Sequence, residues 1–200
     1  MFYPIMIDIY EKKIIIVGGG KVGYRKSEKL LEFGGNVTIL SPENIDDFKE
    51  LKEKYKENLN FIYDIYAKNY IKDAFLVIGA TSSREVNKEI AYDCKELNIL
   101  VNVVDSKEES DFITPSVINN DNLTISISTM GSFPYLSKKI RMDMEKDYGR
   151  FNKEYMDVLE EIRYLILNKD LDNTRQIMEG TLKLDINQLK DLLENYKNDL

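Results

Sequence analysis

Apolar residues follow two different rhythms along the chain. Up to residue 105, short apolar runs alternate with stretches whose apolar positions recur at helical spacing. The runs predict strands at 13–17, 36–40, 60–63, 75–79 and 99–104, and the stretches between them predict helices at 21–33, 43–57 and about 83–97. Ser82 and Glu85 have capping-box spacing at the start of the last of these helices. This part of the chain is therefore predicted to be α/β, with a doubly wound parallel sheet.

Beyond Asp105 the alternation of strands and helices ends. Two β-rich runs, at 112–118 and 123–129, are joined by the polar residues 119–122, which indicates a β-hairpin. Because an isolated hairpin is marginally stable in water, we expect this one to pair or pack with a second copy of the chain.

Only helices are predicted after the hairpin. Pro134 stands where a helix is expected to begin, since proline is favoured at the first helical position. From about residue 150 the apolar spacing stays helical, and Asp185 with Gln188 forms a second capping-box pattern before the last helix.

The first predicted strand runs into a glycine turn, KIIIVGGGKVG at 13–23. Gly18 permits the turn, Gly20 lets backbone approach a pyrophosphate, and Gly23 lets the following helix lie close to the strand. The N-terminus of that helix offers free N–H groups and a positive dipole end to phosphates. We therefore predict a Rossmann-type dinucleotide site; the alternative is a glycine turn that binds nothing. The predicted cofactor-binding residues here are Gly18, Gly19, Gly20, Lys21, Val22 and Gly23.

The acidic residue that usually binds the ribose is missing from the end of the second predicted strand. Ser41 and Pro42 stand there, with Glu43 just beyond. All three are predicted to lie at the cofactor. No arginine adjoins Ser41 to receive a 2′-phosphate, which favours NAD over NADP.

The composition of the chain excludes several kinds of partner and catalytic group. The chain has 200 residues, 43% of them hydrophobic, and a net charge of −7, which argues against nucleic acid as a partner. With one cysteine, no apolar stretch of membrane-spanning length and no signal-peptide pattern, a cytoplasmic protein without a membrane segment is expected. There is no histidine, so no histidine-based metal site is possible, and acid–base work falls to Asp, Glu, Lys, Tyr or a thiol.

Four stretches in fixed order resemble one family, the precorrin-2 dehydrogenases and sirohydrochlorin ferrochelatases that form the N-terminal part of siroheme synthases. They are VGGGKVGYRK (17–26), IGATSSREVN (78–87), ILVNVVDSKEESDFITPSVI (99–118) and LTISISTMGSFPYLSKKIRMDME (123–145). The chain departs from the family at Gly23-Tyr24, where an alanine commonly precedes the Arg-Lys pair, and at Met130, where many members have glycine.

The resemblance implies an activity and a catalytic group. The family oxidises precorrin-2, a polycarboxylate tetrapyrrole, to sirohydrochlorin with NAD⁺, and some members also insert Fe²⁺. Its candidate catalytic carboxylate is Asp105, which would accept a proton or orient the macrocycle through its pyrrole N–H groups. The structural alternative is that Asp105 caps a turn or helix.

Further site residues follow from the same resemblance. Thr81 lies on the family's cofactor-side loop, although it also suits a simple turn. Ser128 and Thr129 match hydroxyls at the substrate cleft. Ser132, Lys138 and Arg141 stand at or near a helix start and suit substrate carboxylates, with a solvated helix face as the alternative.

The resemblance also implies a homodimer through the hairpin region, with the tetrapyrrole cleft between the cofactor domain and that region. We therefore predict an NAD-binding domain at 1–111, a dimerisation and substrate region at 112–145 and a helical domain at 146–200. The competing hypotheses are an NAD-binding regulatory module without catalysis and a structural dimer that has lost activity.

Overall fold

The computed structural model of the chain describes residues 2–120, 122–168 and 173–198, which form two compact units with their boundary between Thr114 and Pro115. The first unit contains β1 (Lys13–Gly19), α1 (Lys21–Glu32), β2 (Asn36–Asn44), α2 (Phe48–Tyr55), β3 (Leu59–Ile62), β4 (Leu76–Gly79), α3 (Arg84–Leu97) and β5 (Leu100–Val103). The second contains β6 (Ser116–Asn120), β7 (Leu123–Ile127), α4 (Pro134–Tyr148), α5 (Lys153–Asn168), α6 (Thr174–Thr181) and α7 (Ile186–Asn198).

The sheet of the first unit is parallel throughout, with strand order β3-β2-β1-β4-β5. Alternate residues of β1 point to opposite faces, so Ile14 and Ile16 pack with α1 and α2, while Ile15 and Val17 pack with α3. Both faces are therefore covered, and the predicted doubly wound α/β fold is confirmed.

Strand β2 is longer than the sequence indicated. It was predicted to end at Leu40, but it continues through Pro42 to Asn44, and the predicted helix at 43–57 begins only at Phe48. The pairing of β1 with β2 shifts between Val17 and Gly19, which lets Asn44 pair with Gly19. A proline is tolerated at such an irregularity because it needs no ladder hydrogen bond there.

The start of α3 also differs from the prediction. Its N-cap is Ser83 rather than Ser82, and the Ser83 hydroxyl accepts a hydrogen bond from the Val86 N–H at 3.3 Å. The predicted capping box was therefore wrong: Glu85 stands one position too early for it and accepts from the Ser83 hydroxyl at 2.9 Å, while the Ser83 N–H donates to the Thr81 hydroxyl at 3.2 Å.

The second unit combines the predicted hairpin with helices. Strands β6 and β7 are antiparallel and shorter than the predicted runs, and Asp121 in their turn lies outside the described residues. Pro134 begins α4, as predicted. The predicted capping box at α7 is confirmed, since Asp185 accepts from the Gln188 N–H and Gln188 accepts from the Asp185 N–H, both at 2.9 Å. No helix among the described residues is long and apolar enough to span a membrane.

We predict that Gly23→Ala destabilises the protein. A Cβ at residue 23 would lie 2.1 Å from the carbonyl oxygen of Gly18, so α1 would have to move away from β1. Overpacking of this kind costs about 1–3 kcal/mol, although alanine is otherwise the better helix former. Urea denaturation followed by circular dichroism measures the effect.

Gly20→Ala is the matched control, because nothing lies within 4 Å of a Cβ at residue 20. Its unfolding free energy should stay near that of the wild type. Equal stability of the two variants would contradict close packing of α1 on the glycine turn.

Candidate functional site

A cleft of about 680 Å³ lies within the first unit, at the carboxyl ends of the parallel strands. This size is within the range of small-molecule sites. All but one of the predicted cofactor residues line it: Gly18, Gly19, Gly20, Lys21, Val22, Ser41, Pro42, Glu43 and Thr81. The exception, Gly23, lies behind the turn against Gly18.

The glycine turn leaves backbone exposed at the floor of the cleft. Gly18 has φ of +119°, and a Cβ there would stand 2.4 Å from the carbonyl oxygen of Ala80. Gly20 is exposed with open space around its Cα, so a ligand can reach the backbone at that point.

The N-terminus of α1 points a partial positive charge at the same place. Gly20 is its N-cap and supplies no side-chain cap, and no acidic residue stands in the first turn of α1. The first N–H groups and the helix dipole therefore suit a pyrophosphate.

The far end of the cleft is formed by β2. The Ser41 hydroxyl donates to the carbonyl oxygen of Glu43 at 2.7 Å, which holds this part of β2 in place, and the Glu43 side chain is exposed. Asn44, which the sequence analysis missed, has a buried side-chain amide with no hydrogen-bond partner among the described residues. Such a group is suited to hydroxyls of a ribose, so the residues present fit a dinucleotide.

A buried amide joins the cleft to the predicted catalytic residue. Asn87, on α3, is fully buried and accepts from the Thr81 N–H at 3.1 Å and from the Thr81 hydroxyl at 2.8 Å. Its side-chain NH₂ donates to the Thr81 carbonyl and to Asp105 Oδ1, both at 3.2 Å. Thr81 and Asp105 are thus held together through Asn87, the last residue of the 78–87 stretch, for which the sequence analysis predicted no role.

The surroundings of Asp105 carry charges of both signs. Asp105 is exposed, and Arg84 at the start of α3 forms a bidentate ion pair with Glu109, each N···O distance being 2.7 Å. The hydrogen bonds to Glu109 raise the pKa of Arg84 above its ordinary value, and the charge of Asp105 contributes in the same direction. Arg84 therefore keeps its positive charge beside Asp105.

The segment after Asp105 runs along the edge of β5. The Ser110 hydroxyl accepts from the Val103 N–H at 2.9 Å, and the Asp111 carboxylate accepts from the Val101 N–H at 3.0 Å. Asp111 therefore secures β5 through a backbone N–H of that strand.

Lys26, on α1, makes hydrogen bonds to β5 and to the segment that follows it. Its ammonium donates to Asn102 Oδ1 at 3.3 Å and to the Thr114 hydroxyl, while the Asn102 side chain donates to the carbonyl of Phe112 at 3.0 Å. Burial, with a smaller contribution from Arg25, lowers the pKa of Lys26 to about 8.

The predicted substrate residues all lie in the second unit. The Ser128 hydroxyl accepts from the Met130 N–H at 3.0 Å, and the Thr129 hydroxyl accepts from the Phe133 N–H at 3.1 Å, so both shape the loop before α4. Arg141 pairs with Glu145, whereas Ser132 and Lys138 are exposed.

We predict that stability rises with pH because of Lys26. Between pH 8 and the ordinary lysine value of 10.5, the unfolded chain keeps the Lys26 proton and the folded chain has released it. Since the unfolded state then binds more protons, the free energy of unfolding increases with pH across this range. Lys26→Met should lose that increase in urea titrations.

Lys29→Met is the control, since it removes an exposed lysine from the same helix. It should keep the wild-type increase. The same pH dependence in wild type and Lys26→Met would show that burial does not perturb Lys26.

Comparisons with known proteins agree with this geometry. A family model described as "Putative NAD(P)-binding" matches residues 5–116. The siroheme synthase of Psychrobacter cryohalolentis is 31% identical over 191 residues, which is 94% of this chain and 36% of that protein. The siroheme synthase of Tolumonas auensis is 30% identical over 200 residues, which is 99% of this chain and 42% of that protein.

One solved structure shares the fold over nearly the whole chain. SirC, a precorrin-2 dehydrogenase, aligns with a TM-score of 0.71 at 23% identity and covers 98% of this chain and 100% of its own. The resemblance to siroheme synthases drawn from the sequence is confirmed, and the chain spans 36–42% of the length of the two relatives above. Because the family model matches more than half of its residues, the chain belongs to the NAD(P)-binding family.

Proposed function

We propose that this chain oxidises precorrin-2 to sirohydrochlorin with NAD⁺ in siroheme biosynthesis. The observation that carries the proposal is that Asn87 connects Thr81, in the dinucleotide cleft, to an exposed carboxylate, Asp105. The names of the siroheme synthase relatives and of SirC supply the substrate class. Precorrin-2 and NAD⁺ then yield sirohydrochlorin, NADH and a proton.

The position of Asp105 supports this proposal. When bound, NAD⁺ accepts a hydride, so a proton must also leave the substrate. Asp105 follows β5 at the carboxyl edge of the sheet, where α/β folds place their ligands. Its exposed carboxylate can take that proton or orient the macrocycle through pyrrole N–H groups.

Insertion of Fe²⁺ is a second proposed step at the same carboxylate. No cluster of three His, Cys, Asp or Glu side chains within the described parts of the chain could hold a metal. In this proposal Fe²⁺ is a substrate that the macrocycle nitrogens take up, while Asp105 accepts the two pyrrole protons one at a time and releases each to solvent.

The substrate carboxylates are proposed to meet Ser132 and Lys138. Both are exposed near the start of α4, and Arg141, one turn later than Lys138, already has Glu145 as a partner. Lys138 is thus the better placed cation for an anionic group.

We predict that Asp105→Asn abolishes most of the precorrin-2 oxidation. An amide keeps the shape of the side chain but cannot accept the proton, and loss of a positioned general base typically costs about 10²–10⁴-fold. An anaerobic assay of NADH and sirohydrochlorin measures the first step, and Fe²⁺ added to purified sirohydrochlorin measures the second.

Glu108→Gln removes the same charge at an exposed neighbouring position and should behave like the wild type. Wild-type protein that binds NAD⁺ but leaves precorrin-2 unchanged would favour the regulatory module. Unchanged oxidation in Asp105→Asn would assign the proton to another group.

We also propose that two copies associate through the hairpin and α4. The N-terminal half of α4 and its loop expose large apolar side chains: Phe133, Tyr135, Leu136 and Ile140. Sedimentation equilibrium should give twice the mass of one chain, and Leu136→Glu should reduce it. A single-chain mass for the wild type at assay concentration would contradict the dimer.

A further inference from the structure

Asn87 uses its whole hydrogen-bonding capacity on two residues. The amide oxygen accepts twice, from the N–H and the hydroxyl of Thr81, and the NH₂ donates twice, to the Thr81 carbonyl and to Asp105 Oδ1. The side chain is completely buried, so water cannot replace any of these bonds. Only an amide supplies two acceptor and two donor sites in this arrangement.

The two partners of Asn87 belong to different parts of the proposed reaction. Thr81 lines the dinucleotide cleft, immediately after β4, whereas Asp105 follows β5. Asn87 itself comes from the first turn of α3, which is fixed by the Ser83 cap. One buried side chain therefore joins the Thr81 loop to the Asp105 carboxylate.

We propose that Asn87 is a positioning residue that holds the Asp105 carboxylate in one orientation relative to the dinucleotide bound in the cleft. The inference rests on the proposed function, because it assigns Asn87 a role through Asp105. Asn87 need not touch the substrate, since its effect is to select one orientation of the carboxylate.

The charged side chains near Asp105 do not set the orientation of its carboxylate. Arg84, also on α3, is engaged by Glu109 through both of its terminal nitrogens. Lys88 follows Asn87 in α3 and is exposed. Within residues 2–120, 122–168 and 173–198, Asp105 forms no ion pair with a lysine or an arginine. The hydrogen bond from the Asn87 side-chain amide is therefore the contact that orients Oδ1 of Asp105.

Asn87→Asp provides the first test, because it keeps the shape of the side chain and replaces the donor facing Asp105 with an oxygen. Two carboxylates at hydrogen-bond distance cannot both be ionised readily, so the acid limb of the pH–rate profile should move up by about one pH unit or more. Lys88→Gln, which changes the charge of α3 by the same amount, should keep the wild-type profile.

Asn87→Leu provides the second test and removes every hydrogen bond. Loss of one bond to a charged group predicts a fall in kcat of about ten- to a hundred-fold, with a smaller change in KM for precorrin-2. In an Asp105→Asn background the same substitution should cost no further activity, because residues that act as a unit are not additive. Urea midpoints and the Kd for NAD⁺ are measured on each variant.

The outcomes separate the two proposals. A shifted acid limb in Asn87→Asp supports the positioning role. If Asn87→Asp does not fold, the same support comes from Asn87→Leu costing no further activity in the Asp105→Asn background. A wild-type pH profile in Asn87→Asp, or losses that multiply in the double variant, overturns it while precorrin-2 oxidation stands. Wild-type protein that binds NAD⁺ without oxidising precorrin-2 overturns the proposed function and the role of Asn87 together.

Discussion

Close approach of backbone at Gly18 and Gly19 brings three strand ends together. A Cβ at Gly18 would stand 2.4 Å from the carbonyl of Ala80, and one at Gly19 would stand 2.3 Å from the carbonyl of Glu43. The turn after β1 therefore passes between the chain that follows β4 and the end of β2. Any side chain at either position would push these segments apart, and the cleft would lose its floor.

The long β2 follows from the same constraint. Because Asn44 pairs with Gly19 and the Ile45 N–H donates to the Gly19 carbonyl at 3.0 Å, β2 stays in the sheet beyond Pro42. This places Glu43 and Asn44 in the lining of the cleft, although no acid stands directly after Leu40. The first acidic residue after Leu40 therefore still lies within the extended strand, in the lining of the cleft.

Local sequence patterns predicted much of the fold. The apolar runs and helical spacing located all five parallel strands, and the glycine spacing located the cleft. Strand and helix boundaries near 41–47 could not be predicted, because the β1–β2 pairing shift depends on contacts between distant residues. The contacts of Asn87 and Lys26 could not be predicted for a related reason, because only the fold brings their partners, Asp105 and Asn102, to them.

The structure of the protein crystallised with NAD⁺ would test the central claim most directly. The pyrophosphate should lie over Gly20 at the N-terminus of α1, the adenosine ribose beside Glu43 and Asn44, and the nicotinamide beside Thr81 on the side of Asp105. A dinucleotide bound in the reverse direction, or outside this cleft, would contradict the claim, because the reacting end would then lie away from Asn87 and the carboxylate that it holds.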